Sequence, residues 1–249
     1  MKLYVDQGNS RIKLWLMDAD RIHAETVCDS AEAVAAWLSG LKPGVLDVRL
    51  SSVTTAPAQD ALAAALRPFA ASLAFARVDG ERLPTAYAQP ERLGIDRWLA
   101  VLAAADRPQP AIVVDAGTAF TVDALSADGR HLGGYILPGL ALQRDALAAR
   151  TAQVQFPAPD WSDVAWGETT STCVCHGSLL SLVALVEAAV ARLERDSGVP
   201  PRVLLTGGDA LHFQAFLQAE SHPCLVLEGL AAYFHDAEAL AVWRAGKGA

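Results

Sequence analysis

Val113-Val114-Asp115-Ala116-Gly117-Thr118-Ala119-Phe120-Thr121-Val122-Asp123-Ala124-Leu125 is the stretch on which the fold turns. An apolar run, Ala111 to Val114, ends on Asp115, and a tight Gly117-Thr118 turn follows. A second β-rich run, Ala119 to Leu125, leaves the turn. The pattern predicts a hairpin whose tip carries a carboxylate, a small hydroxyl and a glycine. Phosphate chemistry needs such parts. Glycine lets the backbone approach phosphates closely, a turn N–H and a hydroxyl donate to phosphate oxygens, and a carboxylate holds a cation.

The same arrangement occurs earlier. Leu3-Tyr4-Val5-Asp6-Gln7-Gly8-Asn9 sets beside Ile112-Val113-Val114-Asp115-Ala116-Gly117-Thr118 without a gap, at an offset of 109 residues. One Asp-x-Gly is ordinary turn chemistry. Two copies, each after an apolar strand and before a second strand, indicate a duplicated unit and two similar lobes facing each other across a cleft.

The chain has 249 residues, enough for one large domain or two small ones. It is 52% hydrophobic and 19% charged, which allows a sizeable core and argues against disorder. The formal charge of −8 gives no support to nucleic acid or an anionic membrane as partner. The best candidate for a membrane span, Leu179 to Val190, is interrupted by Glu187 and falls short of the roughly 18 residues required. The N-terminus begins on a strand without a signal-peptide pattern. Cys28, Cys173, Cys175 and Cys224 are scattered, as expected of a reducing cytoplasm without disulfides.

In order, Lys2–Asp6, Arg11–Met17 and Arg21–Val27 predict a three-stranded meander. Ser30 caps a helix through Leu38 that Gly40 stops. Val45–Val53 is a strand, Pro57 opens a helix over Ala58–Leu66, and Ser72–Val78 is another strand. Pro84–Arg92 is a polar loop before a helix over Ile95–Ala105. The clearest linker is Arg107-Pro108-Gln109-Pro110, so the expected domains are 1–108 and 109–249. The second half repeats the plan with strands Ala111–Asp115, Ala119–Leu125 and His131–Leu137, then a helix over Leu140–Ala149. A Pro- and Trp-bearing loop over Thr151–Gly167 and a long helix over Thr172–Arg195 come next. They are followed by a strand Arg202–Thr206, a helix Ala210–Ala219, a last strand Cys224–Leu227 and a helical tail Gly229–Trp243. Three strands before alternating helices and strands, twice over, predict an α/β protein with mixed sheets flanked by helices.

Four clusters carry candidate chemistry. Asp6-Gln7-Gly8-Asn9-Ser10-Arg11-Ile12-Lys13 reads as a phosphate loop, with Asn9 and Ser10 as donors, Lys13 as countercharge and Asp6 on Mg²⁺. It is neither a Walker loop nor a dinucleotide fingerprint, because a strand and not a helix follows the glycine. Thr206-Gly207-Gly208-Asp209 reads either as a nucleotide contact at a helix N-terminus or as plain turn chemistry. In Gly94-Ile95-Asp96-Arg97, Asp96 fits a general base and Arg97 a carboxylate clamp; a helix cap with an exposed ion pair is the plainer alternative. Cys173-Val174-Cys175-His176 has metal-ligand residue types, but a closed zinc site needs four ligands and no second cluster exists, so helix packing is expected. Trp161 and Trp166 are expected to pack in a core or interface, with a ligand wall as the other option.

Asp6-x-Gly8-Asn9-Ser10-x-x-Lys13, Gly94-x-Asp96-Arg97, Asp115-x-Gly117-Thr118-Ala119, Gly133-Gly134-x-Ile136-x-Pro138-Gly139 and Thr206-Gly207-Gly208-Asp209 occur in that order. Together they resemble type III pantothenate kinase, over nearly the whole chain to about residue 210. The resemblance implies two ribonuclease-H-like lobes of the actin-like ATPase/sugar kinase fold, a homodimer, and ATP-dependent phosphorylation of pantothenate, the first step of coenzyme A synthesis. It implies that Asp6 to Lys13 and Thr118 contact ATP, and that Asp96 is the base. Asp115 would bind a monovalent cation, potassium or ammonium, and Tyr87, Gly94, Ile95, Asp96, Arg97 and Thr170 would line the pantothenate site. Ser10 stands where the family more often has threonine and keeps the hydroxyl, and Gly167 to Thr170 match more loosely. A related kinase of another hydroxylated substrate, or a nucleotide-binding transcriptional accessory protein without turnover, are the alternatives; an intact Asp96 favours the enzyme.

Overall fold

The computed structural model describes residues 1–19, 21–150 and 159–245. They form two compact units. One comprises Met1–Leu83, Tyr87–Ala103 and the chain from Cys224 on; the other comprises Pro84–Ala86 and Ala104–Pro223.

In the first unit β1 (Lys2–Gln7), β2 (Ile12–Asp18) and β3 (Arg21–Cys28) form the antiparallel meander. Helix α1 (Ala31–Leu41) then crosses to β4 (Leu46–Ser52), which lies parallel to β1. Helix α2 (Ala56–Leu66), with a proline in its first turn, leads to β5 (Ala70–Phe75), and α3 (Ile95–Ala104) follows. The sheet order is β3-β2-β1-β4-β5. Leu3, Tyr4 and Val5 on the central β1 are all fully buried, which requires cover on both faces of the sheet. Ser30 caps α1 as expected, accepting the Ala33 N–H. Gly40 does not stop that helix; the chain runs through it and ends at Lys42, which takes the left-handed turn at φ +48°.

The second unit repeats the plan. Its strands are β6 (Ala111–Ala116), β7 (Ala119–Leu125), β8 (His131–Pro138), β9 (Arg202–Thr206) and β10 (Glu220–Ser221), in the order β10-β9-β6-β7-β8. As in the first unit, three antiparallel strands come first and two parallel ones are added beside the first of them. Helices α4 (Leu140–Arg150) and α5 (Thr170–Ser197) precede β9. A capping box between Thr169 and Thr172 starts α5, and Gly198 at φ +71° ends it. By length and composition α5 could cross a bilayer, contrary to the expectation from the shorter run. Its buried face, including Cys175, Leu179, Leu182, Val183, Val186 and Leu193, instead fills the core of this unit with Ile112, Val114 and Val122 of the sheet.

Three further sequence expectations differ from the structure. Ala210–Ala219 is not an α-helix but a single 3₁₀ turn, Ala210–His212, followed by further turns. Bonds from Phe213 N–H to Ala210 and from Phe216 N–H to Phe213 mark it, and one turn suffices to bury Phe213 and Leu217. Cys224–Leu227 is not a strand; α6 (Leu225–Tyr233) begins there, and the last strand is the short β10. A short apolar run bounded by polar residues suits a buried strand or a buried helix equally well, and packing decides. Here Gly229 of α6 lies on α3 so closely that a Cβ would come within 2.0 Å of the Leu99 carbonyl oxygen. With α7 (Ala237–Arg244), α6 belongs to the first unit, so the single boundary expected at 108/109 does not coincide with the units in this segment or at Pro84–Ala86. Asp236 fixes the return. It caps α7 and takes the Tyr4 hydroxyl (2.6 Å), Arg49 (2.6 Å) and Lys2 (2.7 Å), while Trp243 packs edge-on against Tyr4 and Trp15. Of the loop expected over 151–167, residues 151–158 lie outside the described residues; Trp161 joins the core and Trp166 is 98% exposed.

Candidate functional site

The two Asp-x-Gly copies occupy equivalent places, near the carboxyl end of the central strand of each sheet. Asp6 pairs across β2 with Lys13 and across the parallel β4 with Ser51. The Ser51 hydroxyl donates to Asp6 Oδ1 at 2.9 Å. Burial pushes the Asp6 carboxyl above the usual carboxylate range, while the Lys13 charge and the Ser51 hydrogen bond work in the opposite direction. Such a carboxylate suits a cation, which would stabilise its charged form. Gly8 N–H bonds to the Arg11 carbonyl (2.9 Å) and closes the turn, leaving Asn9, Ser10 and Arg11 exposed at its tip. Gln7 and Ile12 are buried; Gln7 accepts from Ser52 and donates to the Ala58 carbonyl. Those two side chains serve the sheet, so their contribution to a ligand at the tip is through the backbone.

In the same unit, Asp96 is the second residue of α3 and is half-buried. Its Oδ1 accepts the Arg97 N–H at 2.7 Å, and a Cβ on residue 94 would stand 2.7 Å from that same oxygen. The carboxylate is thus folded back over Gly94, a position that a side chain there would close. Arg97 is 7% exposed; its guanidinium donates to the Tyr87 hydroxyl at 2.9 Å and lies 6.0 Å from the centre of the Tyr87 ring. The expected Tyr87, Gly94, Asp96 and Arg97 are therefore brought together. Arg97 is buried against Tyr87, so the exposed setting of the alternative reading does not describe it.

In the second unit Asp115 faces Thr121 on β7 and Thr206 on the parallel β9. The β6–β7 turn is tighter than its counterpart, and Gly117 N–H bonds to the Ala119 carbonyl at 3.2 Å. Two glycines crowd this end of the sheet. A Cβ on Gly139 would come within 2.0 Å of the Gly117 carbonyl oxygen. One on Gly207, at φ +101°, would come within 2.3 Å of the Ala116 oxygen and 2.5 Å of Asp115 Oδ1. The absent side chain at 207 leaves a carboxylate and a carbonyl oxygen together, a donor set that suits a hard monovalent cation. Thr118 is exposed at the turn tip, and Thr170 is the exposed first residue of α5.

Gly207-Gly208 matters in a way the sequence reading did not weigh. The helix whose N-terminus was to face an anion is only a 3₁₀ turn, and Gly207 is required instead by its approach to Asp115. Sequence reasoning also missed Ser51. It carries a hydroxyl on the parallel strand beside Asp6, the register place that Thr206 holds beside Asp115. Cys173 donates to the Gly167 carbonyl, Cys175 is in the core and His176 Nδ1 meets the Ala165 carbonyl; among the described residues no group of ligands could hold a metal by clustering.

Two units of one topology, each with an aspartate at the same place on its central strand, make up the actin-like ATPase/sugar kinase fold. Among solved structures the chain is similar to a Campylobacter jejuni protein described as a Baf family transcriptional activator (TM-score 0.60, 20% identity, 94% of this chain and 98% of that one). It is also similar to a Sinorhizobium meliloti protein described as a 2-dehydro-3-deoxygalactonokinase (TM-score 0.56, 14% identity, 95% and 97%). At these identities the likeness concerns the fold. The chain belongs to the type III pantothenate kinase family, whose profile matches residues 2–192. It is 35% identical over 241 residues to the type III pantothenate kinase of Acinetobacter baumannii (93% of this chain, 96% of the relative). To that of Marinobacter nauticus it is 38% identical over 240 residues (92% and 96%).

Proposed function

We propose that Asp96 is the general base of this enzyme, and that Asp6 and Asp115 hold the cations that accompany its nucleotide. As a member of the type III pantothenate kinase family, the chain transfers a phosphoryl group from ATP to pantothenate in coenzyme A biosynthesis. The observation that carries the base assignment is the Asp96 carboxylate, folded back over Gly94 beside a buried Arg97 that Tyr87 holds.

In this reading the carboxylate of pantothenate pairs with Arg97, whose planar fork suits bidentate recognition. Tyr87 keeps the guanidinium from rotating away. Gly94 and Ile95 offer main-chain surface, and Thr170 a hydroxyl. The primary alcohol of pantothenate then bonds to Asp96, which takes its proton as the new oxygen–phosphorus bond forms and the bond to the ADP oxygen breaks. The backbone from Gln7 to Ile12, the side chains of Asn9, Ser10, Arg11 and Lys13, and Thr118 receive the phosphates. Magnesium at Asp6 and potassium or ammonium at Asp115 would offset charge on the phosphate oxygens. The same reading makes the protein a cytoplasmic homodimer acting on small molecules, without nucleic acid or membrane. The acidic balance of −8 supports the absence of nucleic acid. Exposed Leu132, Tyr135, Ile136, Leu142, Leu147 and Leu180, all in the second unit, support a second copy as partner.

Asp96→Asn tests the base directly. An amide of the same shape cannot take the proton, so kcat should fall roughly 10²–10⁴-fold. ATP binding and the melting temperature should hold, because the amide is nearly isosteric and its oxygen can still accept the Arg97 N–H. Full turnover in a folded Asp96→Asn enzyme ends the assignment.

A further inference from the structure

Arg82, in the loop after β5, reaches far along the chain to the end of α6. Its guanidinium donates to the Tyr233 carbonyl at 2.7 Å and to the Ala232 carbonyl at 2.6 Å, and lies 5.7 Å from the centre of the Tyr233 ring. Its own backbone is held by Asp79, whose Oδ1 accepts the Glu81 and Arg82 N–H groups. Helix α6 does not need this arginine in order to end. Phe234 N–H already bonds to the Leu230 carbonyl, His235 N–H to Ala232 and Asp236 N–H to Ala231, with His235 in the left-handed region at φ +55°. The planar fork of Arg82 therefore adds a fixed attachment between α6 and the loop over 79–83.

In turn α6 rests on α3 at two places, one helical turn apart. Gly229 lies against the Leu99 main chain, where a Cβ would come within 2.0 Å of the carbonyl oxygen. One turn on, the Tyr233 ring meets the Trp98 ring edge-on, with centroids 6.0 Å apart. Trp98 is fully buried; its Nε1–H donates to the Leu83 carbonyl at 3.5 Å, and its backbone N–H bonds to the Gly94 carbonyl and closes the first turn of α3. A single contact would set the distance between two helices, whereas two also set the rotation of α3 about its axis. Asp96 and Arg97 immediately precede Trp98 in that turn, so the same rotation sets where they point. We infer that Arg82 and Tyr233 are positioning residues for the phosphoryl transfer: through Trp98 they fix the rotation of α3, and with it the direction of the Asp96 carboxylate and the Arg97 guanidinium. Every residue of this column belongs to the first unit. The inference rests on the reading in which Asp96 is the base.

The test is Arg82→Met, which leaves an apolar stem on the Tyr233 ring and removes both hydrogen bonds to α6. A misplacement of about 1 Å at a reacting group costs about 10²-fold in rate, so a partial loss of aim should lower kcat on the order of tenfold. Arg82→Lys keeps a cation and a donor at the helix end and should recover part of that loss, while the KM for ATP should stay near the parent's in both variants. The deciding measurement is a double-mutant cycle with Asp96→Asn. With no base left to aim, Arg82→Met should lower kcat by much less than it does in the parent. A merely structural tie lowers kcat by the same factor in both backgrounds, and that result overturns the inference. If Arg82→Met does not fold, Arg82→Lys takes its place in the cycle and is read by the same criterion. Unchanged kcat in Arg82→Met, alongside a loss in Asp96→Asn, overturns the inference and leaves the base assignment intact. Full turnover in a folded Asp96→Asn enzyme overturns both.

Discussion

Replacing Gly207 by alanine is the sharpest perturbation this structure offers. Residue 207 has φ +101°, where an L side chain is strained, and its Cβ would sit 2.3 Å from the Ala116 oxygen and 2.5 Å from Asp115 Oδ1. The backbone strain costs about 1–3 kcal/mol. The contact with Ala116 is with main chain of the central strand, which cannot rotate aside, and overpacking of this kind costs about 1–3 kcal/mol more. Together the two give about 2–6 kcal/mol. For a chain of this size each kcal/mol moves Tm by about 2–4 °C, so a fall of about 4–24 °C is expected in a melt followed by circular dichroism. Gly208→Ala is the control, since a Cβ there meets nothing within 4 Å and no positive φ is involved. Because Asp115 must also move, the Gly207→Ala enzyme should respond less to potassium when ADP release is followed. A Gly207→Ala protein that melts within about 2 °C of the parent, with an unchanged response to potassium, would refute the geometry on which the cation site rests.

Exchanging sodium for potassium or ammonium at fixed ionic strength should raise turnover, and Asp115→Asn should weaken the response because a neutral amide binds a hard cation less well; equal turnover in sodium and potassium removes the cation from Asp115. Light scattering at micromolar concentration should report twice the chain mass of 26.3 kDa, and a stable monomer would contradict the homodimer. Asp236→Ala should cost about 3–5 kcal/mol, because it leaves the nearby cationic groups with a buried charge missing. Burial works to raise the Asp236 carboxyl, but Lys2, the Tyr4 hydroxyl and the Ala239 N–H outweigh it and hold it below the ordinary range. Its stabilisation is therefore present above the unfolded pKa and is lost as pH falls through the folded value. The parent should lose more stability than Asp236→Ala on acidification below about pH 4, and parallel curves would contradict the assignment.

The Asp-x-Gly hairpins were legible because their signals are local. A strand of apolar residues, a carboxylate and a glycine turn lie within seven residues, and the duplicated order of strands followed from them. The Gly94-x-Asp96-Arg97 cluster was legible for the same reason, and the glycine in it proves to make room for Asp96 Oδ1. Other features depend on residues far apart in the chain. Ser51 reaches Asp6 because β4 pairs parallel with β1 across an intervening helix, and Thr206 reaches the side of Asp115 only after α4 and α5. No spacing rule announces such neighbours, since a parallel crossover sets register through packing and not through a turn. The run Cys224–Leu227 carries no period that separates strand from helix, and contact between Gly229 and Leu99 makes it helical and returns the C-terminal segment to the first unit. His131 gave no sequence signal at all, being one dispersed histidine among six. Its partners Asp123 and Thr85 come together only when β7, β8 and the loop before α3 are packed, which is a long-range event. The sequence determined the hairpins, the repeat and the family motifs, because turn chemistry and strand period act over a few residues. Tertiary structure decided which hydroxyl lies beside which aspartate and where the last helices return, because those depend on which elements bury their apolar faces together.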